Sequence, residues 1–186
     1  MDAYNFPERV VESDVLVVGG GSAGCMAAIK AKEADPGLRV VVMEKGCVER
    51  SGAIAMGMDA LNVVAVPGVS TPEEYVESMT VACEGVLDAD LCRVEAERSF
   101  EVLRELEGWG VRFPRDDKGQ YRVHRVHPRG EFLVEMDAPD LKKVLAHQVE
   151  ARGVEVLERA MATSLLVGGG AVEGAVGFDV RSGDLL

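Results

Sequence analysis

The stretch DVLVVGGGSAGCMAAIK, Asp14 to Lys30, decides how the chain begins to fold. Four apolar residues, Val15 to Val18, run into Gly19, Gly20 and Gly21, and Ser22, Ala23 and Cys25 stand around a fourth glycine, Gly24. A short apolar run closed by glycines predicts a buried strand. Ser22 to Ala34 predicts a helix, with the small residues Gly24, Ala27, Ala28 and Ala31 on one side for close approach to a sheet. So little side chain at a strand–helix junction leaves backbone amides bare, and asks what lies against them.

Outward from that junction, ADPGL is a turn and RVVVMEKG predicts a second buried strand, Arg39 to Glu44. Strand, helix and strand in about 30 residues imply parallel pairing through a crossover. Gly19, Gly21 and Gly24 then spell GxGxxG at the end of a strand and the start of a helix. An acidic residue, Glu44, closes the second strand 20 residues after Gly24. This is the dinucleotide fingerprint with its parts in order. Gly19 permits the tight turn, Gly21 lets backbone approach a pyrophosphate, and Gly24 lets helix and strand pack. The helix N-terminus offers unpaired N–H groups to phosphate, and Glu44 is placed to accept from ribose hydroxyls, which disfavours NADP. The alternative is a glycine turn with no ligand. A second VGGG, Val167 to Gly170, sits between apolar runs with no helix after it and predicts a hairpin turn.

Between these ends the chain changes character. Residues 45 to 67, rich in Gly, Ala and Met, predict a buried loop or irregular helix. Thr71, Pro72 and Glu74 mark a helix start, with Val76, Met79 and Cys83 at helical spacing. A second helix is expected from Ala89 to Glu107, ended by Gly108 and Gly110 around Trp109. Short strands should surround the DDKG turn. Another helix starts near Asp137 and Pro139, carries Leu141, Val144, Leu145 and Val149 on one face, and stops at Gly153. Strand, strand, turn and strand complete the chain.

Composition narrows the class. The chain has 186 residues, enough for one domain with a real core, and 47% of them are hydrophobic. Mean hydropathy is +0.07 and no apolar run reaches the length of a membrane span, so no direct membrane insertion is expected. The first 14 residues do not read as a secretory signal. A net charge of −12 argues against nucleic acid as a partner. Cys25, Cys47, Cys83 and Cys92 form no CxxC pair, so no metal or cluster site is expected within the chain. Cys25 and Cys83 read as buried small hydrophobes on helix faces.

The fingerprint alone does not choose between FAD and NAD. The segment after Glu44 does, through a resemblance. DVLVVGGGSAGCMAA, EKGCVERSGAIAMGMDALN, WGVRFPRDDKGQY and MATSLLVGGGAVEGAVGFDVRSGDLL together resemble the flavoprotein subunits of the fumarate reductase, succinate dehydrogenase and adenylylsulfate reductase superfamily. ERSGAIAMGMDALN looks closest to the adenylylsulfate reductase branch. The resemblance implies an α/β, Rossmann-like FAD-binding domain with a βαβ start, a parallel sheet and an added antiparallel β-hairpin, incomplete relative to the family. It implies FAD along Gly19, Gly21, Ser22, Ala23, Gly24, Glu44, Lys45, Arg50, Ser51, Gly52, Ala53 and Gly57, with adenine against Ala162. Succinate dehydrogenases carry Arg-Ser-His-Thr where this chain has Arg50-Ser51-Gly52-Ala53, and that His holds the flavin covalently; Gly52 therefore implies non-covalent FAD. Met56-Gly57-Met58 departs from the usual Gln or Glu followed by Gly-Gly, which weakens a transfer of succinate chemistry.

The resemblance further implies a flavoprotein oxidoreductase that passes electrons between a small anionic substrate and an iron–sulfur partner, cytoplasmic or membrane-associated through that partner. Adenylylsulfate or L-aspartate is an alternative substrate, and an NAD-dependent dehydrogenase or a truncated non-catalytic module an alternative class. His124, His127 and Arg129 match loosely a strand near the substrate in fumarate reductases, and otherwise read as a basic surface strand. Family members run longer, so the capping domain, a second flavin-binding stretch and the catalytic residues are expected beyond Leu186. This chain by itself is expected to bind FAD weakly or not at all.

Overall fold

A computed structural model describes residues 8–62, 64–137 and 141–186. The chain has two compact units: Met1–Met56 with Asp140–Leu186, and Gly57–Pro139.

The first unit is built on a three-stranded parallel sheet. β1 (Val15–Val18) leads into α1 (Ser22–Ala34), which returns as β2 (Val40–Glu44). After α4 (Leu141–Ala151), β6 (Glu155–Glu158) joins the other side of β2, giving the order β1-β2-β6. Val15 pairs with Val40, and Val41 with Glu155. A central parallel strand is covered on both faces, and every residue of β2 is buried. β1 is an edge strand, so it is only half-buried and Val18 is 55% exposed, less buried than its apolar run predicts. On α1 the buried side chains are Cys25, Ala28 and Ile29, while Ala27 faces out.

Alternation along β2 sorts its side chains. Val41 and Met43 pack with Leu157 and Ala160, flanked by Leu16, Ala162 and Leu186. Val40, Val42 and Glu44 point the other way. β7 (Ala160–Gly168) and β8 (Ala171–Asp179) form the antiparallel hairpin that carries Ala160 and Ala162. Its two-residue turn is Gly169 and Gly170, at φ 57° and 83°, so the second VGGG is a turn as expected. Gly170→Val is expected to cost about 1–3 kcal/mol, because a β-branched residue is strained at positive φ. Gly169→Asn, which tolerates that region, should stay within about 0.5 kcal/mol. Thermal melts of both variants check the contrast.

The second unit holds α2 (Pro72–Ala82), α3 (Ala89–Gly108) and a small antiparallel sheet of β3 (Ala60–Leu61), β5 (Leu133–Glu135) and β4 (Val123–His124). Thr71 and Glu74 form the reciprocal cap read from the sequence. Asp88 caps α3, and Trp109 closes it. The face of α2 differs from expectation. Tyr75 and Ser78 are buried, Val76 and Met79 only partly so, and Cys83 is the half-buried residue that ends the helix. Tyr75, Ala96 and Phe132 form a core whose Tyr75 and Phe132 rings meet edge to face at 5.1 Å. Arg115 to Tyr121 close the DDKG turn by a bridge. Pro139 falls outside the described residues.

Candidate functional site

At the end of β1 the chain has to turn sharply into α1, and each glycine there has a separate geometric task. Gly19 takes φ 100°, and its N–H donates to Met43 O at 2.8 Å, continuing the ladder to β2. Its carbonyl lies where a side chain on Gly24 would begin: a Cβ there would sit 1.8 Å from Gly19 O and 3.3 Å from Val17 Cγ1. Gly21 is the N-cap of α1 in extended conformation, with no side chain capping it. Gly52 approaches from the loop after β2 at φ 82°, and a Cβ on it would come 3.0 Å from Gly21 Cα. The result is a bare backbone surface at a helix N-terminus, with the first-turn amides of α1 free of side-chain caps.

Glu44 fastens this turn to the sheet. Its Oε2 accepts from Gly20 N–H at 2.6 Å and its Oε1 from Gly46 N–H at 2.7 Å. The residue is 4% exposed. Burial opposes its ionisation, but the Gly46 and Gly20 amides, the Ser51 hydroxyl and the nearby Lys142 charge outweigh it and hold the carboxyl below the usual range. Glu44 is thus first a fastener for the loop.

The segment from Lys45 onward is tied down at its start. Arg159 N–H donates to Gly46 O at 2.9 Å, Val48 N–H donates to Glu158 Oε1 at 3.0 Å, and Val48–Arg50 make a short 3₁₀ turn. Ser51 Oγ donates to Gly20 O at 3.1 Å. The expectation of a buried loop holds at Val64, Ala65 and Val66 and is corrected between Gly52 and Gly57, where Gly52, Ala53, Ala55, Met56 and Gly57 are exposed. In the 3₁₀ turn Ala53–Met56 the two alanines offer little apolar area to draw it inside, and Met56 stands 90% exposed.

The structure therefore brings Gly19, Gly21, Ser22, Ala23, Gly24, Glu44, Ser51 and Gly52 into one cluster. Lys45, Arg50 and Ala53 flank it on the same loop, Arg50 and Ala53 as exposed residues and Lys45 as one next to the buried Glu44. Ala162 stands apart on β7, packed with Val41, Met43 and Leu157 on the face of β2 away from Glu44. Gly57 begins the other unit, at φ 95°. There too His127 Nε2 lies in a hydrogen bond 2.7 Å from Asn62 Oδ1, and its ring packs against Tyr75 and Phe132. Arg129 pairs with Glu77 at 3.4 Å, and His124 lies 3.7 Å from Glu135. An apolar groove of about 540 Å³, lined by Leu16, Val41, Met43, Leu157, Val176 and Leu186, opens on the sheet face opposite Glu44. Among the described residues no cluster of His, Cys, Asp or Glu is arranged to hold a metal, and no helix is long and apolar enough to cross a membrane.

One member of the cluster escaped sequence reading. Lys142, on the first turn of α4, is 3% exposed. Its Nζ donates to Gly20 O at 2.6 Å and to Cys25 Sγ at 3.1 Å. A signal was present: position 142 stands three, four and seven residues before the buried Leu145, Ala146 and Val149.

A βαβ unit whose glycine turn leaves amides bare at a helix N-terminus defines a dinucleotide-binding α/β domain. Residues 14–185 match the FAD binding domain family, and the chain belongs to it. The CoM/CoB fumarate reductase of Methanothermobacter marburgensis contains a chain that is 28% identical over 182 residues, covering 95% of this chain and 33% of that protein. L-aspartate oxidase of Streptomyces coelicolor is 29% identical, over 86% of this chain and 28% of that protein. The structure of adenylylsulfate reductase from Archaeoglobus fulgidus superposes with a TM-score of 0.86 at 32% identity, covering 97% of this chain and 29% of that one. The chain thus spans about a third or less of these relatives. The cradle fits the family's cofactor: FAD carries a pyrophosphate, and the turn offers uncapped amides with no Cβ at Gly21, Gly24 or Gly52.

Proposed function

We propose that this chain is the FAD-binding part of a flavoprotein oxidoreductase of the fumarate reductase and adenylylsulfate reductase type. In this reading electrons pass between a small anionic substrate and an iron–sulfur partner. The observation that carries it is the backbone cradle at Gly19–Gly24, faced by Gly52. The amides of Gly21, Ser22 and Ala23 would donate to the pyrophosphate. Glu44 would offer its remaining lone pairs to a ribose hydroxyl, and the Ala162 backbone would take the adenine. Lys45 and Arg50 would place positive charge beside the phosphates, while Ser51, Gly52 and Ala53 would border the ring system. When bound, the flavin supplies two-electron redox chemistry, and the protein contributes position and polarity. The names of the relatives offer fumarate, adenylylsulfate and L-aspartate chemistry, and the adenylylsulfate reductase likeness, at 32% identity, favours the second.

Titration of the chain with FAD, NAD and NADP, followed by calorimetry and flavin fluorescence, tests the cofactor. Saturable, weak FAD binding with no NADP binding is expected; a preference for NAD would overturn the reading. The flavin is expected to be held non-covalently, since no histidine stands at position 52. After reconstitution with FAD, denaturing gel electrophoresis should leave the protein band without flavin fluorescence and return the flavin to the supernatant.

A further inference from the structure

Gly20 is gripped from both sides by charge. On one side its N–H donates to the Glu44 carboxylate. On the other its carbonyl accepts from Lys142 Nζ at 2.6 Å, Ser51 Oγ at 3.1 Å and Cys25 Sγ at 3.3 Å. Three elements therefore supply donors to one backbone oxygen: α4, the loop after β2, and α1. A buried ammonium ordinarily seeks a carboxylate or a metal-like set of oxygens. Here it spends its shortest bond on a peptide carbonyl in the glycine turn.

The described peptides are trans. In a trans peptide the C=O and the next N–H point in opposite directions. Drawing Gly20 O into the protein therefore turns Gly21 N–H outward. A Gly20–Gly21 peptide is flanked by two residues without Cβ, so little else prevents it from flipping. A flip would aim a carbonyl at the anion and remove the donor.

We propose that Lys142 is a positioning residue of the cradle. It holds the Gly20 carbonyl inward so that the Gly21 amide faces the pyrophosphate, and its buried charge adds to the positive field of the α1 N-terminus. This rests on the FAD reading. The field of Lys142 acts on phosphate and not on the flavin ring, so its effect belongs to ligands that carry a diphosphate.

The test uses Lys142→Met and Lys142→Arg in this chain, with FAD, ADP and riboflavin as probes. Loss of a charge-assisted hydrogen bond predicts FAD and ADP binding weakened by about 30-fold in the methionine variant, less in the arginine variant, and riboflavin binding unchanged. Amide NMR of the ligand-free chain should show the Gly20 and Gly21 signals displaced and exchanging faster in Lys142→Met. A folded methionine variant with unmoved Gly20 and Gly21 signals, or with undiminished ADP binding, would overturn the proposal. Where the wild-type chain alone binds neither FAD nor ADP, the amide signals decide the clamp. If the methionine variant does not fold, the side-chain ammonium signal of Lys142 in wild type decides. A slowly exchanging signal supports the clamp, and one that exchanges like a solvent-exposed lysine overturns it.

Discussion

Gly24→Ala is expected to lower the stability of the chain by about 3 kcal/mol and to weaken FAD binding at least about 30-fold. The new Cβ would start 1.8 Å from Gly19 O and 3.0 Å from Gly19 C. Neither neighbour is the yielding end of a side chain. Gly19 is pinned through its N–H to Met43 O, and the next amide is pinned to Glu44. To admit one methyl group the turn must leave β2 or α1 must tilt off the sheet. Either movement removes backbone hydrogen bonds as well as the cradle. Urea unfolding followed by circular dichroism reads the loss: with a slope of about 1–3 kcal/mol per molar, the midpoint should fall by at least about 1 M. Gly108→Ala at the end of α3, where a Cβ meets nothing within 4 Å, is the control and should stay within about 1 kcal/mol of wild type. An unchanged midpoint in Gly24→Ala would show that the turn is softer than its packing says.

Glu44→Gln is the second large effect, of about 2–3 kcal/mol at neutral pH. The carboxylate accepts from two amides, at Gly20 and Gly46. A carboxamide has one oxygen, so one buried N–H would face an NH₂ group. The sign of the pH dependence follows from the lowered pKa in the folded chain. Above the unfolded carboxyl value, about 4.3, the stabilisation from ionised Glu44 is fully present. As pH falls through the lower folded value, that stabilisation is lost. Wild type and variant should therefore differ most above about pH 4.3 and converge as the pH falls below it. A gap that stays constant over this range would mean that ionisation of Glu44 is not what fastens the turn.

The parts of this fold that could be read in the sequence are those specified by near neighbours. The strand, glycine turn, helix and second strand from Val15 to Glu44 follow from local periodicity, and α1 begins and ends where its pattern does. The Thr71 and Glu74 cap and the Gly169–Gly170 turn are also local chemistry. What escaped depends on distant partners. β1 reads as buried, but its exposure is set by lying at the edge of the sheet, which no property of Val15–Val18 encodes. β6 becomes the third strand through pairing with β2 more than 100 residues earlier. Lys142 escaped notice because lysine is ordinarily at the surface, and only its phase with Leu145 and Val149 marks it as buried. Residues 52 to 57 read as buried from their Gly, Ala and Met content, yet the glycines and alanines offer little area to drive burial and Met56 stands exposed.

The unit that carries the cradle is assembled from two separated pieces of chain. Its residues up to Met56 meet those of α4 and β6 only once the chain has run through Gly57–Pro139. Ala53–Met56 nonetheless packs against α4, so the two ends of that excursion are brought close together. Closing a loop costs entropy that grows only with the logarithm of its length. The 83 residues of the excursion therefore cost only about 2 kcal/mol more than a six-residue connection would. The larger burden is on speed. β2 cannot acquire its second neighbour, nor Gly20 its lysine, until the distant segment returns, and such non-local pairing slows folding. The excursion is accordingly the place where the chain can be lengthened or remodelled at small equilibrium cost, whereas the timing with which the glycine turn becomes competent is set by the return of α4.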